Sequence, residues 1–428
     1  MGSFAVRGVI EGFYGNPWSP QQRLDVIPRL ARYGYNVFVY GPKDDAYILE
    51  NWRLLYDEEQ LAYLRDLKRA CDACDMALWY LLAPAFSIEY SSEAEFDTLM
   101  RKYQQLHGLG VTTFGLLFDD IPVTLQHPAD EAAYGTLVEA HIDLTNRVYR
   151  ALEAMGDEIR LIVCPTEYWG DGRHGYLGAL GQNIPDDVSM FYTGDTICAH
   201  TLDAENALRF YRLTGKKPLY WDNYPVNDAK MTQEFHIAPI IGRSPDLWQH
   251  AEGLVVNPME YIESSMISLY TIGEYLADPE GYDSAASHAR AIADVLGAKY
   301  ISALQALNDM CYKSVLTRHG EQFPEHGTGS GHHEIFLSLI AQGSAGDLIA
   351  WARDTRALLE SLASCPNHLF LTESRPWRES AIAFCQAVES DVQDGSAEAL
   401  TAYLDDAMDV MKYEASCLIE AIQAGEIR

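Results

Sequence analysis

The sequence lacks a long apolar run and is poor in basic residues. No hydrophobic stretch approaches the roughly 20 residues that a bilayer-spanning helix needs. The 428 residues include 31 Lys and Arg against 62 Asp and Glu, which gives a net charge of −31. Such a surface repels phosphate backbones and anionic lipids, so we expect neither a nucleic acid nor a membrane as partner. The charge is more typical of solubility than of an acidic docking surface. The N-terminus has no signal-peptide pattern, which predicts a soluble cytoplasmic protein.

Motifs of several common enzyme classes are also missing. The first apolar run is not followed by a glycine-rich phosphate turn, and the chain has no GxSxG motif. Cys71 and Cys74 would supply half of a zinc site, but no second CxxC completes it. We interpret them as small residues on one side of a helix. The histidine-containing segment 318–334 has no regular ligand spacing and is interpreted as a polar loop between helices. We therefore expect no metal and no cofactor.

Short apolar runs rich in β-branched and aromatic residues recur along the first 260 residues. Each is almost continuously apolar, as expected for strands buried on both faces of a parallel sheet. Amphipathic helical segments such as 19–34 and 58–74 separate them, and Ser19-Pro20 has the pattern of an N-cap followed by proline at N1. Eight β-α units predict an α/β fold, a (β/α)8 TIM barrel, with a doubly wound open sheet as the alternative. The runs are 6–10, 36–40, 77–83, 113–118, 160–165, 188–193, 218–221 and 253–257.

The pattern changes after residue 280. The remaining chain has helical spacing without a strand signal, and the sequence DPEGYDS at 278–284 is typical of a linker. We therefore predict two domains, a catalytic (β/α)8 barrel over 1–280 and a C-terminal α-helical bundle over 281–428. The helical stretches are 283–311, 344–363, 378–393 and 397–424.

Polar and aromatic side chains follow most of the predicted strands. The active sites of such barrels form where the strands end, because the βα loops converge there. Hydrogen-bonding groups beside aromatic rings suit a sugar, which offers hydroxyls to bond and apolar C–H faces to stack. The residues at these ends include Gly12, Tyr14, Lys43, Asp119, Asp120, Glu167, Tyr168, Trp221, Asn223, Asp228 and Asn257.

Two of these residues, Asp119 and Asp120, are adjacent carboxylates. Consecutive residues of a regular strand point to opposite faces, so both can serve one site only where the strand breaks into its loop. Ordinary retaining glycosidases take their two carboxylates, about 5 Å apart, from different strands. Without an obvious third nucleophile, substrate-assisted hydrolysis fits better: a 2-acetamido oxygen attacks C1, one aspartate orients the acetamido N–H, and the other protonates the leaving oxygen. A solvated loop or a helix N-cap is the alternative interpretation of the dipeptide.

Six segments together resemble glycoside hydrolase family 84, the O-GlcNAcase and bacterial β-N-acetylglucosaminidase family. They span the predicted barrel in the family's order. One departure is visible, because the family often has Trp-Thr-Gly at the end of strand six where this chain has Tyr192-Thr193-Gly194. The departure bears on the pocket wall or the aglycone side and not on the aspartates. The segments are 7–19, 40–47, 118–121, 164–170, 221–228 and the pair 242–243 with 257–258.

The resemblance implies a fold, an activity and a role for each site residue. It implies a retaining β-N-acetylglucosaminidase in which Asp119 polarises the acetamido group and stabilises an oxazoline intermediate, and Asp120 is the general acid/base. Tyr168 then bonds near the acetamido oxygen and the leaving group. The other implied contacts are Trp221 and Asn223 in the acetamido pocket and Gly12, Lys43, Asp228 and Asn257 on the sugar hydroxyls, with Tyr14 in the same motif as Gly12.

Alternatives to this function remain open from the sequence. The rim would bind sugar without cleaving it in a pseudoenzyme, and Glu167 would be the second carboxylate of a conventional two-carboxylate glycosidase. Trp221 and Tyr14 also have a simpler interpretation as packing residues. The expected partner is an N-acetylglucosaminide whose aglycone is a glycopeptide, an O-GlcNAc protein, a cell-wall fragment or a glycan end. The sequence does not indicate an oligomeric state.

Overall fold

Parallel strands close into a barrel in the first part of the chain. The computed structural model describes residues 2–43, 45–156, 158–312 and 331–428. Within them the strands pair in chain order and β1 pairs with β8, so the TIM barrel is confirmed and the open sheet is not formed. Each predicted strand is found within one residue of its predicted bounds. The strands are β1 Val6–Ile10, β2 Val37–Tyr40, β3 Ala77–Leu82, β4 Thr113–Leu117, β5 Arg160–Cys164, β6 Ser189–Tyr192, β7 Pro218–Asp222 and β8 Gly253–Val256.

The strands are buried because apolar side chains fill the barrel and its outer face. All residues of β2, β4, β7 and β8 are buried, as the continuous apolar runs predict. Gly115 in β4 leaves room for Leu81 of β3, since a Cβ at Gly115 would lie 2.2 Å from the Leu81 Cδ2 atom. The barrel interior is thus a packed core. Residues that take part in chemistry are therefore expected after the strands and not inside the barrel.

The helices of the barrel begin at residues with strong capping chemistry. Ser19 is the N-cap of the first helix: its hydroxyl accepts from Gln22 N, and the Gln22 side chain accepts from Ser19 N. Asp57 and Gln60 form the same reciprocal pair at the start of the second helix. The helices up to residue 277 are α1 Pro20–Arg32, α2 Glu58–Asp72, α3 Glu93–His107, α4 Pro128–Ala133, α5 Leu137–Glu153, α6 Tyr176–Asn183, α7 Ala204–Thr214, α8 Leu247–His250 and α9 Ile262–Ala277.

The region after residue 280 is helical, as predicted, but two predicted stretches are interrupted. The stretch 283–311 breaks at Gly297, which has φ +107. The stretch 397–424 breaks between Tyr403 and Lys412, where the Asp406 carboxylate accepts from Met408 N in a local turn. The helices are α10 Ser284–Val295, α11 Ile301–Met310, α12 His332–Gln342, α13 Ala345–Ser361, α14 His368–Glu373, α15 Arg375–Asp394, α16 Glu398–Tyr403 and α17 Lys412–Gln423.

The chain divides into two compact units. One comprises the chain up to Tyr224 with Gly242–Glu260 and Gly273–Tyr282. The other comprises Pro225–Ile241, Tyr261–Ile272 and Asp283–Arg428. The domain ranges 1–280 and 281–428 stay predictions.

The cysteine pair lies at the end of one helix, and the described histidines of the segment 318–334 begin another. Cys71 is buried on α2, where burial raises the pKa of its thiol to about 12, and Cys74 follows the helix end. Of the segment 318–334, residues 318–330 lie outside the described residues, while His332 and His333 begin α12. Across the described ranges, the structure shows neither a group of three potential metal ligands nor a helix long and apolar enough to cross a membrane.

Candidate active site

The backbone turns sharply where β4 ends. β4 stops at Leu117, and Phe118 N still donates to Cys164 O of β5 (2.8 Å). Asp119 is buried whereas Asp120 is exposed, and Asp120 has φ +56, in the left-handed region. That conformation costs a non-glycine residue about 1–2 kcal/mol. The turn replaces the strand alternation that would send the two side chains to opposite faces.

Asp119 is held by Lys43. The Lys43 ammonium donates to Asp119 Oδ2 at 2.7 Å, and both side chains are more than nine-tenths buried. Burial alone would lower the pKa of Lys43, but the Asp119 charge reverses the effect and raises that pKa above its usual value. Asp119 Oδ1 is buried and accepts no N–H or O–H hydrogen bond from the part of the chain that the structure describes. One oxygen of a charged, immobilised carboxylate is therefore left for a donor on a ligand.

Asp120 is supported by two phenols. Tyr14 donates to Asp120 Oδ2 at 2.9 Å and Tyr168 donates to Oδ1 at 3.1 Å. Burial, opposed by Lys43 and reinforced by Asp120, raises the pKa of Tyr14 to about 12. Burial together with Asp120 raises the pKa of Tyr168 further above its usual value. Both phenols consequently keep their protons at neutral pH and remain donors to an exposed carboxylate that solvent and a leaving group can reach.

Behind the aspartates lies a buried thiol. Cys164 ends β5, and burial, with the Asp119 charge as the next cause, raises the pKa of its thiol well above the usual range. The thiol therefore stays protonated beside Asp119, to which it is also a weak side-chain hydrogen-bond partner.

A second group of predicted residues forms one wall. Trp221 Nε1 donates to Asn223 Oδ1 at 2.9 Å, and Asn257 Nδ2 donates to the same oxygen at 3.2 Å. Gly12 N donates to Asn257 Oδ1 at 3.1 Å. Glycine is required at this point, because a Cβ at residue 12 would lie 2.4 Å from Trp221 Cζ2. Side chains from the ends of β7 and β8 and the backbone N–H of Gly12 after β1 are thus joined in one hydrogen-bonded surface.

A buried ion pair that the sequence did not identify supports this wall. Arg243 donates to both carboxylate oxygens of Asp222, at 2.8 and 2.6 Å, and both side chains are more than nine-tenths buried. The same guanidinium donates to the carbonyls of His200 and Ala199. Asp222 stands between Trp221 and Asn223 in the sequence, so the pair fixes the end of β7. The Gly-Arg motif at 242–243 contained the signal, but its partner was not predictable.

A second such pair anchors the loop after β1. Arg23 of α1 donates to both oxygens of Glu11 at 2.6 Å, and Glu11 is 1% exposed. Glu11 also accepts from Trp18 N. The loop that carries Gly12 and Tyr14 is therefore tied down at both ends. An acid directly after a strand and an arginine in the next helix are the only sequence signal, and it is a weak one.

The departure at strand six contacts the loop that carries Tyr168, and its effect on the pocket wall or the aglycone side stays a prediction. Tyr192 is buried and donates from its hydroxyl to Gly170 O at 2.8 Å. Thr193 N donates to Tyr168 O at 2.8 Å. Tyr192, the one residue that differs from the family pattern, and Thr193, which matches it, thus both hold the loop from which Tyr168 reaches Asp120.

The predicted residues fall into three sets. Tyr14, Lys43, Asp119, Asp120 and Tyr168 are linked by hydrogen bonds or by the 5.7 Å approach of Lys43 Nζ to the Tyr14 ring centroid. Gly12, Trp221, Asn223 and Asn257 form the wall.

The third set comprises the two remaining residues, Asp228 and Glu167. Asp228 belongs to the other unit, where it precedes the 3₁₀ turn Ala229–Met231, and its sugar contact stays a prediction. Glu167 is half-buried, which raises the pKa of its carboxyl, and no hydrogen bond within the described residues joins it to either aspartate.

An ion-paired carboxylate lies beside a phenol-supported one where the strands of a TIM barrel end, and paired carboxylates at this position are the arrangement expected of a glycoside hydrolase. The sequence model of the family described as beta-N-acetylglucosaminidase matches residues 7–309, and the chain belongs to this family. The resemblance predicted from the motifs is thereby confirmed.

Individual relatives and solved structures resemble the chain over different shares of their length. The protein O-GlcNAcases of Rattus norvegicus and Mus musculus are each 30% identical over 274 residues, covering 63% of this chain and 29% of each relative. The chain thus spans under a third of their length. A mutant O-GlcNAc hydrolase of Thermobaculum terrenum shares 29% identity at a TM-score of 0.89 and covers 98% of this chain and 95% of its own. The structure named CpGH84B, 22% identical with a TM-score of 0.79, covers 100% of this chain and 75% of its own, and supports the fold.

Proposed function

We propose that this chain is a retaining β-N-acetylglucosaminidase that removes terminal β-linked N-acetylglucosamine by substrate-assisted catalysis. The observation that carries the proposal is the division of labour between adjacent carboxylates. Asp119 is buried, charged and paired on one oxygen only. Asp120 is exposed and receives two phenolic donors. The first suits the control of a substrate amide, and the second suits proton transfer to a leaving oxygen.

In the first step the sugar supplies its own nucleophile. Its acetamido N–H donates to the free Asp119 Oδ1, which increases electron density on the acetamido oxygen. That oxygen attacks C1 while Asp120 gives its proton to the glycosidic oxygen, so the C1–O bond to the aglycone breaks. The product is a bicyclic oxazolinium ion that keeps the N–H proton, and its positive charge faces Asp119; electrostatic stabilisation of this kind is commonly the largest part of a rate enhancement.

In the second step Asp120 acts as a base. It takes a proton from a water that attacks C1 from the face the aglycone has left, and the oxazoline ring opens to restore the acetamido group. Two inversions at C1 give net retention, as in glycosidases with an enzymic nucleophile. General acid–base assistance of this kind contributes about 10²–10⁴-fold.

The remaining residues bind and orient the sugar in this proposal. Tyr168 bonds near the acetamido oxygen and the leaving group, and Trp221 with Asn223 encloses the acetamido group. Lys43, Asn257 and the Gly12 carbonyl meet sugar hydroxyls. The same assignment gives Asp228 a hydroxyl contact, and Tyr14 keeps Asp120 oriented.

The substrate class follows from the pocket and from the relatives. The acetamido group is required because it supplies the nucleophile, whereas the aglycone only has to reach an exposed Asp120. Relatives named O-GlcNAcase and O-GlcNAc hydrolase favour β-O-linked N-acetylglucosamine on a peptide or protein as the physiological substrate. No metal or cofactor takes part in these steps.

The test is a series of aryl β-glycosides that differ only at C2. Substrate assistance predicts turnover of the N-acetyl compound, a steep fall for the N-trifluoroacetyl compound and no turnover of the 2-hydroxy compound. A conventional two-carboxylate enzyme would cleave the 2-hydroxy compound as well, and Glu167→Gln would abolish its activity. Binding without turnover would indicate the pseudoenzyme instead.

A further inference from the structure

The bond that would continue the sheet beyond β4 is made by a side chain. In a parallel ladder Phe118 would donate to Cys164 O and accept from Thr166 N. The first bond is present at 2.8 Å, but Thr166 N donates instead to the Tyr176 hydroxyl at 3.2 Å. The Thr166 hydroxyl donates to Phe118 O at 2.7 Å in its place. The two strands can therefore separate here without leaving the Phe118 carbonyl unpaired.

A buried histidine, His141, packs against Phe118 at this junction. The His141 ring stacks on the Phe118 ring at 4.0 Å and 8°. Its Nδ1 lies 2.7 Å from the Tyr176 hydroxyl and its Nε2 lies 2.9 Å from the Tyr90 hydroxyl. Burial lowers the pKa of His141 to about 3, so the ring is neutral, with one nitrogen as donor and the other as acceptor. Both nitrogens are thereby satisfied between two fixed phenols.

We propose that Thr166 is a positioning residue for the general acid/base, which it orients by holding the Phe118 carbonyl two residues before Asp120. This inference rests on the hydrolytic function proposed above. Asp120 has the left-handed φ of +56, a conformation that persists only where its surroundings enforce it. The side chain of Asp119 is held by Lys43 and that of Asp120 by two phenols, but only Asp120 has a positive φ that its backbone surroundings must enforce. Loosening the Phe118 carbonyl therefore disturbs Asp120 more than Asp119.

The test compares Thr166→Val, which removes the hydroxyl at nearly constant shape, with Thr166→Ser, which keeps it. Turnover is measured on aryl N-acetylglucosaminides whose leaving groups range from 2,4-dinitrophenol to unactivated phenols. Thr166→Val is expected to lower kcat about tenfold for the poorest leaving groups, the kinetic equivalent of one buried hydrogen bond of about 1.4 kcal/mol. The kcat for the dinitrophenyl substrate should hardly change, because dinitrophenolate departs without protonation. KM should hardly change either. Thr166→Ser should restore wild-type kinetics.

A purely structural role predicts a different result. It would lower the melting temperature of Thr166→Val and reduce kcat equally for every leaving group, and that outcome overturns the proposal, as would equal kinetics of the Val and Ser variants. If Thr166→Val does not fold, Tyr176→Phe, which removes the acceptor of Thr166 N together with the partner of His141 Nδ1 but keeps the Thr166 hydroxyl bond to Phe118 O, must show a smaller effect with the same leaving-group dependence. A wild-type enzyme that cleaves no member of the series would refute the proposed function rather than this inference.

Discussion

A single methyl group at Gly12 should disable the pocket. In Gly12→Ala the new Cβ would lie 2.4 Å from Trp221 Cζ2 and 2.9 Å from Cη2. Normal carbon–carbon contacts are about 3.5–4.0 Å, so the indole must move by roughly 1 Å. Trp221 has little room to do so, because it is 6% exposed and packs edge-on against Phe191 at 5.3 Å. Its hydrogen bond to Asn223 must then stretch or break.

The expected cost is large for the chemistry and moderate for the fold. A displacement of about 1 Å in a positioning residue can cost on the order of 100-fold in rate, and we expect kcat/KM on an aryl N-acetylglucosaminide to fall by about that factor. Overpacking should lower the free energy of unfolding by about 1–3 kcal/mol, which urea denaturation measures. Gly346→Ala is the matched control, because a Cβ there meets nothing within 4 Å. If Gly12→Ala kept kcat/KM within about twofold of wild type (under 0.5 kcal/mol of lost transition-state stabilisation), the assignment of this wall to the sugar would be refuted.

Three further predictions concern the aspartates, the ion pair and the buried histidine. Asp119→Asn should slow all aryl substrates by about 10²–10³-fold, whereas Asp120→Asn should slow poor leaving groups by about 10²–10⁴-fold and activated ones far less, as measured by steady-state kinetics. Arg243→Met should reduce the free energy of unfolding in urea by about 3–5 kcal/mol, because it removes the guanidinium that pairs with the buried Asp222 carboxylate. The pKa of His141 is about 3 when folded against 6.5 in its ordinary state, so the folded state excludes a proton that the unfolded state binds. Stability is therefore lost as pH falls below 6.5, and His141→Phe should gain on wild type by about 1.4 kcal/mol per pH unit in urea denaturation at pH 6 and 5.

Each of these has an outcome that contradicts it. Equal leaving-group dependence in the two aspartate variants would remove the division of labour, and Asp171→Asn, an exposed carboxylate on the loop after β5, controls for loss of charge alone. A loss under about 1 kcal/mol in Arg243→Met, the size typical of exposed pairs, would mean that Asp222 finds another partner. A pH-independent difference between His141→Phe and wild type would show that the ring is not neutral when folded.

The strands and their order were predictable because the barrel buries each of them on both faces. Runs such as 113–118 and 253–257 are apolar throughout, and a doubly buried strand permits little else. The helical breaks at Gly297 and after Tyr403 were not predicted, since the residues around them keep helical spacing and a left-handed turn or a local carboxylate bond overrides it.

The site was predictable as a set of residues but not as a geometry. The motifs identified Asp119, Asp120 and Lys43, yet the ammonium–carboxylate contact joins loops 76 residues apart and depends on barrel closure. The left-handed φ of Asp120 has no local signal, because the proposed restraint comes from Thr166 in the loop after β5. Ion pairs and hydrogen bonds that support a site from outside it have no fixed spacing in the chain. They cannot be predicted from sequence for that reason.

The bond from Gly12 N to Asn257 Oδ1 joins residues 245 positions apart. It stands at the seam where β1 meets β8, the last strand pair to be synthesised and the one with the greatest loop-closure entropy. The wall of Gly12, Trp221, Asn223 and Asn257 therefore cannot form on a chain that ends before β8, however well the earlier βα units have formed. A ligand of this pocket binds only the closed barrel and stabilises it by mass action, so ligand affinity reports on whether folding has gone to completion.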